Sequence, residues 1–439
     1  MTKAEKYKLA KWAMEVALEN GAADARVYIS NSNSSEVEVR EEKIEKLQEA
    51  NQGSMFIDLY VDNRYSAIRT NRLNDKEELM RFIKEGIKGT RYLAEDEFRS
   101  LPDPDRYYKG GGKDLKTADN NFMDINPQEK VDAAFGIEQE VLGQDDRIIS
   151  VTGSYSDQYN GRVMVSSNGF EGDRENTYYS LVAQVSVKDG EARPRAYWFE
   201  SSIFNNELVK DGVGKQALER ALERLGQKKI KSATLPMIVE NRLSSRLLSP
   251  VISAMNGASI HQKNSFLIDM KGQKIGSDLF DVTDDPFIIS GRGSRHFDSE
   301  GVATRKRQII EKGVLKEYYI DTYYGKKLDM EPNSGETTNL VFKPGDKDLK
   351  GLLADIDRGI YVTGFNGGNS NGATGDFSYG IEGFLVEKGE IVQPVYEMNI
   401  TGNYREIWKD LVAVGNNVYE NSSWRLPSLV IDRISFNGV

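Results

Sequence analysis

The residues able to do acid–base or metal chemistry are scarce: histidine occurs twice, at His261 and His296, and cysteine is absent from 439 residues. Without thiols there are no disulfides, no thiolate nucleophile and no sulfur-ligated zinc or iron–sulfur centre. That absence fits a reducing compartment, and the cytoplasm is the default expectation for a chain with no leader-like or membrane-spanning segment. His296 lies in "SRHFDSEG", with Asp298 and Glu300 just behind it. Those groups would serve as an acid/base pair or as oxygen and nitrogen ligands to a metal. The same Asp-Ser-Glu-Gly run also makes an ordinary turn whose carboxylates accept backbone N–H groups, and no second cluster supplies partners. The turn is the preferred reading. His261, ahead of "QKNSFLIDM", is read as sitting at a strand edge. "DVTDDP", with Asp281, Asp284 and Asp285, lacks the spacing of a calcium loop and reads as a solvated loop.

"GNSNG", Gly368–Gly372, fits the G-x-S-x-G nucleophile pattern. That chemistry requires a strand–turn–helix setting and a histidine downstream as general base, and both histidines lie upstream. The surrounding "TGFNGGNSNGATGDFSYG" is a Gly/Asn/Ser loop, suited to lining a cleft because glycine lets backbone approach a ligand closely. Asn366 and Asp376, at its two ends, are candidate cleft or substrate-binding residues, together with His296, Asp298 and Glu300.

The elements that must carry these residues follow from periodicity. "MTKAEKYKLAKWAMEVALENGAADA" has Leu9, Trp12, Ala13, Val16 and Ala17 at helical spacing, and it lacks the apolar run of a leader peptide. "ARVYIS", "SSEVEVREEKIEKLQEA", "SMFIDLYVD" and "RYSAIRTN" read as a meander of antiparallel strands, and "DKEELMRFIKEGIKGTRYLA" as a second helix. Residues 94–126 form a Pro/Gly/Asp-rich connector. A second block then opens on a helix capped by Asn126 with Pro127 at its first position. It continues through four strand-like segments and closes on "VGKQALERALERLG", whose charges suggest a solvated face. From about residue 231 the texture is mostly β, with hairpins at "QIIEKGVLKEYYI" and "GFLVEKGEIVQPV". The expected class is α+β. An N-terminal α+β domain (1–93), a connector (94–126) and a middle α+β domain (127–230) precede a mostly β C-terminal domain (231–439). With Lys plus Arg at 58 and Asp plus Glu at 68, the net charge is −10, which disfavours direct nucleic-acid contact. No segment has membrane-spanning length.

The C-terminal block carries a resemblance. "FDSEGVATRKRQIIEKGVLKEYYIDTYYGKKLDMEPNSG" and "GDFSYGIEGFLVEKGEIVQPVYEMNITGNYREIWKDLVAVGNN" closely resemble the TldD/PmbA family, also called modulator of DNA gyrase, whose members are subunits of a bacterial metalloprotease. The resemblance implies two branches. TldD-like subunits carry His-Glu-x-x-x-His on one helix, with a cysteine as third zinc ligand; PmbA-like subunits, also called TldE, lack that motif. Aligning "KNSFLID" puts the motif positions in "LLSPVISAMNGASIH", at Ser249, Pro250 and Ala254. None of the three can serve: a hydroxyl is a poor zinc ligand, and neither proline nor alanine offers a donor. By resemblance the chain is a PmbA/TldE-like subunit, catalytic residues none, metal none, with zinc expected in a TldD-like partner and unfolded peptide as substrate. It would supply part of the peptide-holding cavity. The alternative is a homodimeric peptide- or protein-binding module with no protease role.

Overall fold

The computed structural model describes residues 1–438. Its first layer is built twice in the same order. Helix α1 (Lys3–Glu19) is followed by strands β1 (Asp24–Arg40), β2 (Lys43–Val61) and β3 (Arg64–Thr70), then α2 (Lys76–Thr90); helix α3 (Pro127–Gln139) is followed by β4 (Ile148–Ser166), β5 (Glu171–Val187) and β6 (Arg195–Ser202), then α4 (Val213–Leu222). The two sets share one six-stranded sheet of order β3-β2-β1-β4-β5-β6, because β1 pairs antiparallel with β4 from Arg26↔Ser166 to Arg40↔Thr152. Helix starts follow their capping residues. Thr2 forms a capping box with Glu5, Asp75 accepts from Glu77 and Glu78, and Asn126 accepts from Gln128 ahead of Pro127.

The expected four short strands of the first block are fewer and longer. "ARVYIS" and "SSEVEVR" are one strand, since the polar run Asn31–Ser35 is paired on both sides, to β2 and to β4. A fully paired backbone has no reason to turn. The turn falls instead at Glu41 and Glu42, both with φ above +50°. Alternation along β1 directs Val27, Ile29, Val37 and Val39 to the same side; the first pair packs under α1 and α2, the second under α3. The opposite side meets the connector and the C-terminal domain through Tyr28, Tyr107, Met164, Phe170 and Phe297.

The C-terminal region starts with β7 (Ala233–Val239), α5 (Ser245–Ala254) and α6 (Gly257–His261), continues through β8 (Val282–Asp284), β9 (Arg307–Glu311), β10 (Val314–Leu315), α7 (Thr322–Leu328) and β11 (Leu340–Phe342), and ends with α8 (Leu349–Ala354), β12 (Arg358–Ser370), β13 (Asp376–Glu387), β14 (Glu390–Asn403), α9 (Tyr404–Ile407), β15 (Leu411–Val414), β16 (Trp424–Arg425) and β17 (Leu429–Asn437). Both expected hairpins form, β9–β10 and β13–β14. One sheet runs β14-β13-β12-β7-β17-β15, and a further β14–β17 pairing joins its two sides into a closed ring. A smaller sheet runs β10-β9-β8-β11-β16. Met237 and Val239 point into the large core with α5, while Ile238 between them points to α8.

Two expectations are corrected. "DVTDDP" is not a solvated loop: Asp284 lies in β8 at 1% exposure, accepting from the Thr338 backbone N–H at 2.9 Å and paired with Arg307. A carboxylate tolerates such burial only when it is paired and hydrogen-bonded. Helix α4 also departs from a solvated face. Arg220 makes a two-bond contact to Glu240 at 2.7 Å each, and Arg224 pairs with Glu382 at 2.5 Å. These pairs tie the middle block to the C-terminal domain.

Helix α3 lies so close to the sheet that a Cβ on Gly153 of β4 would stand 2.4 Å from the Ala134 carbonyl oxygen, whereas one on Gly136 of α3 itself would meet nothing within 4 Å. Gly153→Ala is therefore expected to destabilise the fold by about 1–3 kcal/mol through overpacking. Gly136→Ala is expected to stabilise it by about 0.5–1 kcal/mol through helix propensity. Thermal denaturation of the two variants checks the contrast.

Candidate functional site

Helix α5 presents the positions singled out by sequence. Leu247, Leu248, Val251, Ile252 and Met255 recur at helical spacing and are buried in the C-terminal core. That packing turns Arg246, Ser249 and Ser253 outward, all three exposed. Pro250 sits inside the helix. Its ring removes the N–H that would bond the Arg246 carbonyl, so the turn is weakened on the outward side. At the other end the Ser265 hydroxyl donates to the Ala254 carbonyl at 2.5 Å, satisfying one orphan acceptor of the last turn.

A second short helix follows α5 directly. Asn256 accepts from Ala258 and caps α6, so His261 ends a short helix rather than lying on a strand. "KNSFLID" is likewise irregular: its Phe266 and Leu267 bury themselves against the core, and Phe266 N–H donates to the Gly372 carbonyl. The apolar run was misleading because neighbouring residues, not alternate ones, are buried.

Three clefts meet along the outward face of α5, all lined by Ser249. The first, of about 420 Å³, lies between α5 and the glycine loop: Arg246, Ser249, Pro250, Ser253 and Ala254 face Gly368–Ser370 and Gly372. The second, about 680 Å³, extends past Arg242 and Phe365 to Tyr197 of the first layer and Trp424. The third, about 450 Å³, runs toward Tyr319 and Glu336. The glycine loop thus borders the cleft through Gly368, Asn369, Ser370 and Gly372. Gly367 and Gly368 hold φ of 68° and 94°, and a Cβ on Gly368 would stand 2.2 Å from the Ser378 carbonyl oxygen, so glycine is required where β12 bends over β13.

The other candidates are placed apart. Asn366 donates to Glu382, and Asp376 accepts from Thr374 and Asn403, which holds its carboxyl below the usual range and braces the loop end. Neither lines the first cleft. His296 stacks on Tyr108 with ring centres 5.0 Å apart, and its Nε2 lies 2.9 Å from the Lys113 carbonyl oxygen. Because a carbonyl only accepts, Nε2 carries the proton. Asp298 accepts from the backbone N–H groups of Glu300 and Val302, and Glu300 accepts from the N–H and hydroxyl of Thr322. Burial, with Glu300 and Glu336 adding repulsion, pushes the Asp298 carboxyl up to about 7; burial also raises Glu300. Among the described residues no three His, Asp or Glu side chains are grouped to hold a metal ion.

Zinc requires imidazole, thiolate or carboxylate donors. The residues that the resemblance sets against the zinc motif offer the exposed hydroxyl of Ser249, the ring of Pro250 and the buried methyl of Ala254. They do not fit the metal, and no step is assigned through it.

The chain carries an open cleft without metal donors on a scaffold that it shares with metallopeptidase relatives. Residues 232–438 match the PmbA/TldA metallopeptidase C-terminal domain and residues 120–225 its central domain. The chain belongs to the PmbA/TldD family. It is 29% identical to the metalloprotease PmbA homologue of Haemophilus influenzae, covering 97% of this chain and 95% of that one. With the PmbA homologue of Buchnera aphidicola (Baizongia pistaciae) it shares 30% over 79% and 78% of the two chains. A solved structure from Bacteroides thetaiotaomicron, described as a modulator of DNA gyrase, matches all of both chains with TM-score 0.97 and 51% identity. TldE from Thermococcus kodakarensis has the same fold, with TM-score 0.85, 20% identity and coverage of 98% and 100%. No helix among the described residues is long and apolar enough to cross a membrane.

The raised Asp298 carboxyl carries a pH signature. Its folded pKa of about 7 exceeds the unfolded value of 3.8, so its contribution to stability is full below pH 3.8 and is lost as pH rises through 7. Asp298→Asn keeps the acceptor for the Glu300 and Val302 N–H groups and removes the titration. Melting temperatures measured from pH 5 to pH 8 are expected to fall for the wild type relative to this variant.

Proposed function

We propose that the chain is the non-catalytic, TldE-like subunit of a two-component zinc metalloprotease. In this reading it supplies one wall of a cavity in which a TldD-like partner, carrying the zinc, cleaves unfolded peptide in the cytoplasm. The observation that carries the reading is the floor of the cleft. Its motif positions are Ser249, Pro250 and Ala254, which line an open cleft of about 420 Å³ yet offer no metal donors. A hydroxyl-lined cleft with glycine backbone on its far side suits extended peptide. The sequence blocks 1–93, 127–230 and 231–439 act as the domains of this subunit, with 94–126 as connector.

Co-expression with a TldD-like subunit from the same genome tests it. A stable hetero-oligomer is expected, with zinc in the partner, and its chelator-sensitive cleavage of unfolded peptide should fall at least about tenfold when this chain is omitted. The purified chain alone is expected to hold no stoichiometric zinc and to cleave nothing. Failure of the two to associate, with the partner's cleavage unchanged by this chain, overturns the proposal.

A further inference from the structure

We propose that Arg246 is a carboxylate-recognition residue, so that the cleft selects peptide segments carrying an acidic side chain or a free C-terminal carboxylate. The inference rests on the peptide-cleft reading above and narrows its substrate class. Arg246 lines both the first and the second cleft. Among the residues lining those two clefts there is not one Asp or Glu, in a chain with 68 of them. The neighbouring arginines are committed: Arg242 to Glu200 at 3.0 Å, Arg220 to Glu240 at 2.7 Å. Arg246 has no such carboxylate among the described residues; its guanidinium rests over the Tyr379 ring, 4.8 Å from the centroid. Tyr379 is itself fixed by a hydroxyl–hydroxyl contact of 2.8 Å to Tyr404.

Helix stability does not explain that placement. Arg246 lies in the first turn of α5, where the helix dipole disfavours a cation. That contact sets the guanidinium beside the ring and leaves its N–H donors without a carboxylate partner among the described residues, which suits two-bond recognition of a carboxylate. Around it stand Ser249, Ser253, Ser259, Ser370, Asn264 and Asn369, hydroxyls and amides able to donate to peptide carbonyls. With the chain at −10 overall, acidic peptide gains nothing from the general field, so selection falls on this one cation.

Fluorescence anisotropy with the full chain, alone and together with a TldD-like subunit, tests the inference. The probes are one unstructured peptide in four forms: with Glu or with Gln at its acidic positions, each as free acid or C-terminal amide. The forms bearing a carboxylate are expected to bind more tightly than the Gln amide, with an advantage that shrinks as salt rises. Arg246→Gln is expected to weaken those forms about tenfold more than it weakens the Gln amide, and Arg246→Lys to recover part of that difference. Loss on Glu→Gln assigns the preference to side chains, and loss on amidation assigns it to the terminus; either supports the proposal. Equal binding of all four probes, unaltered in Arg246→Gln, overturns carboxylate recognition while leaving the peptide cleft standing. Binding of none, with or without the partner, overturns both.

Discussion

The burial of one stripe of α5 is the constraint on which the functional reading depends. Leu247, Leu248, Val251, Ile252 and Met255 are all at most 7% exposed. Each such side chain withdrawn from water is worth about 1.5–3 kcal/mol, far more than a single exposed contact. The helix therefore has one way to lie on the core, and its rotation decides what faces solvent. Arg246, Ser249 and Ser253 are outward because the leucines are inward. Ala254, buried at 2%, still reaches the cleft wall because it closes the last turn beside Ser265. That orientation aims hydroxyls and a guanidinium into the clefts.

Much of this was legible in sequence. The cap at Asn126 with Pro127 behind it and the two Lys-Gly hairpins are local signals, set by backbone chemistry within a few residues. What escaped was long-range. The polar run Asn31–Ser35 looks like a turn until β4, more than a hundred residues on, pairs with it. Asp284 looks solvated until Arg307 and Thr338 enclose it, and Arg220 looks exposed until it meets Glu240. Charged residues that find partners from distant segments cannot be told from surface residues by periodicity.

The site divides in the same way. Ser249, Pro250 and Ala254 were located by resemblance and are joined in one cleft with the glycine loop, whose backbone role follows from Gly368 and its close approach to Ser378. His296, Asp298 and Glu300, adjacent in sequence, serve three different contacts, to Lys113, to their own turn and to Thr322. Asp298 and Glu300 lie near enough to repel each other, yet each is held by its own hydrogen-bond partners. Arg246 carried no sequence signal beyond its helical position opposite the leucines. Its meaning came from what surrounds it in space, two clefts without a carboxylate.

The central claim is that the outward face of α5 touches peptide while contributing no metal chemistry. A photo-crosslinking amino acid at Ser253, in the chain assembled with a TldD-like subunit, tests this most directly during cleavage of an unfolded peptide. The account predicts a peptide adduct at that position while zinc and chelator sensitivity stay with the partner. Active cleavage with no adduct at Ser253, or stoichiometric zinc held by this chain, would contradict it.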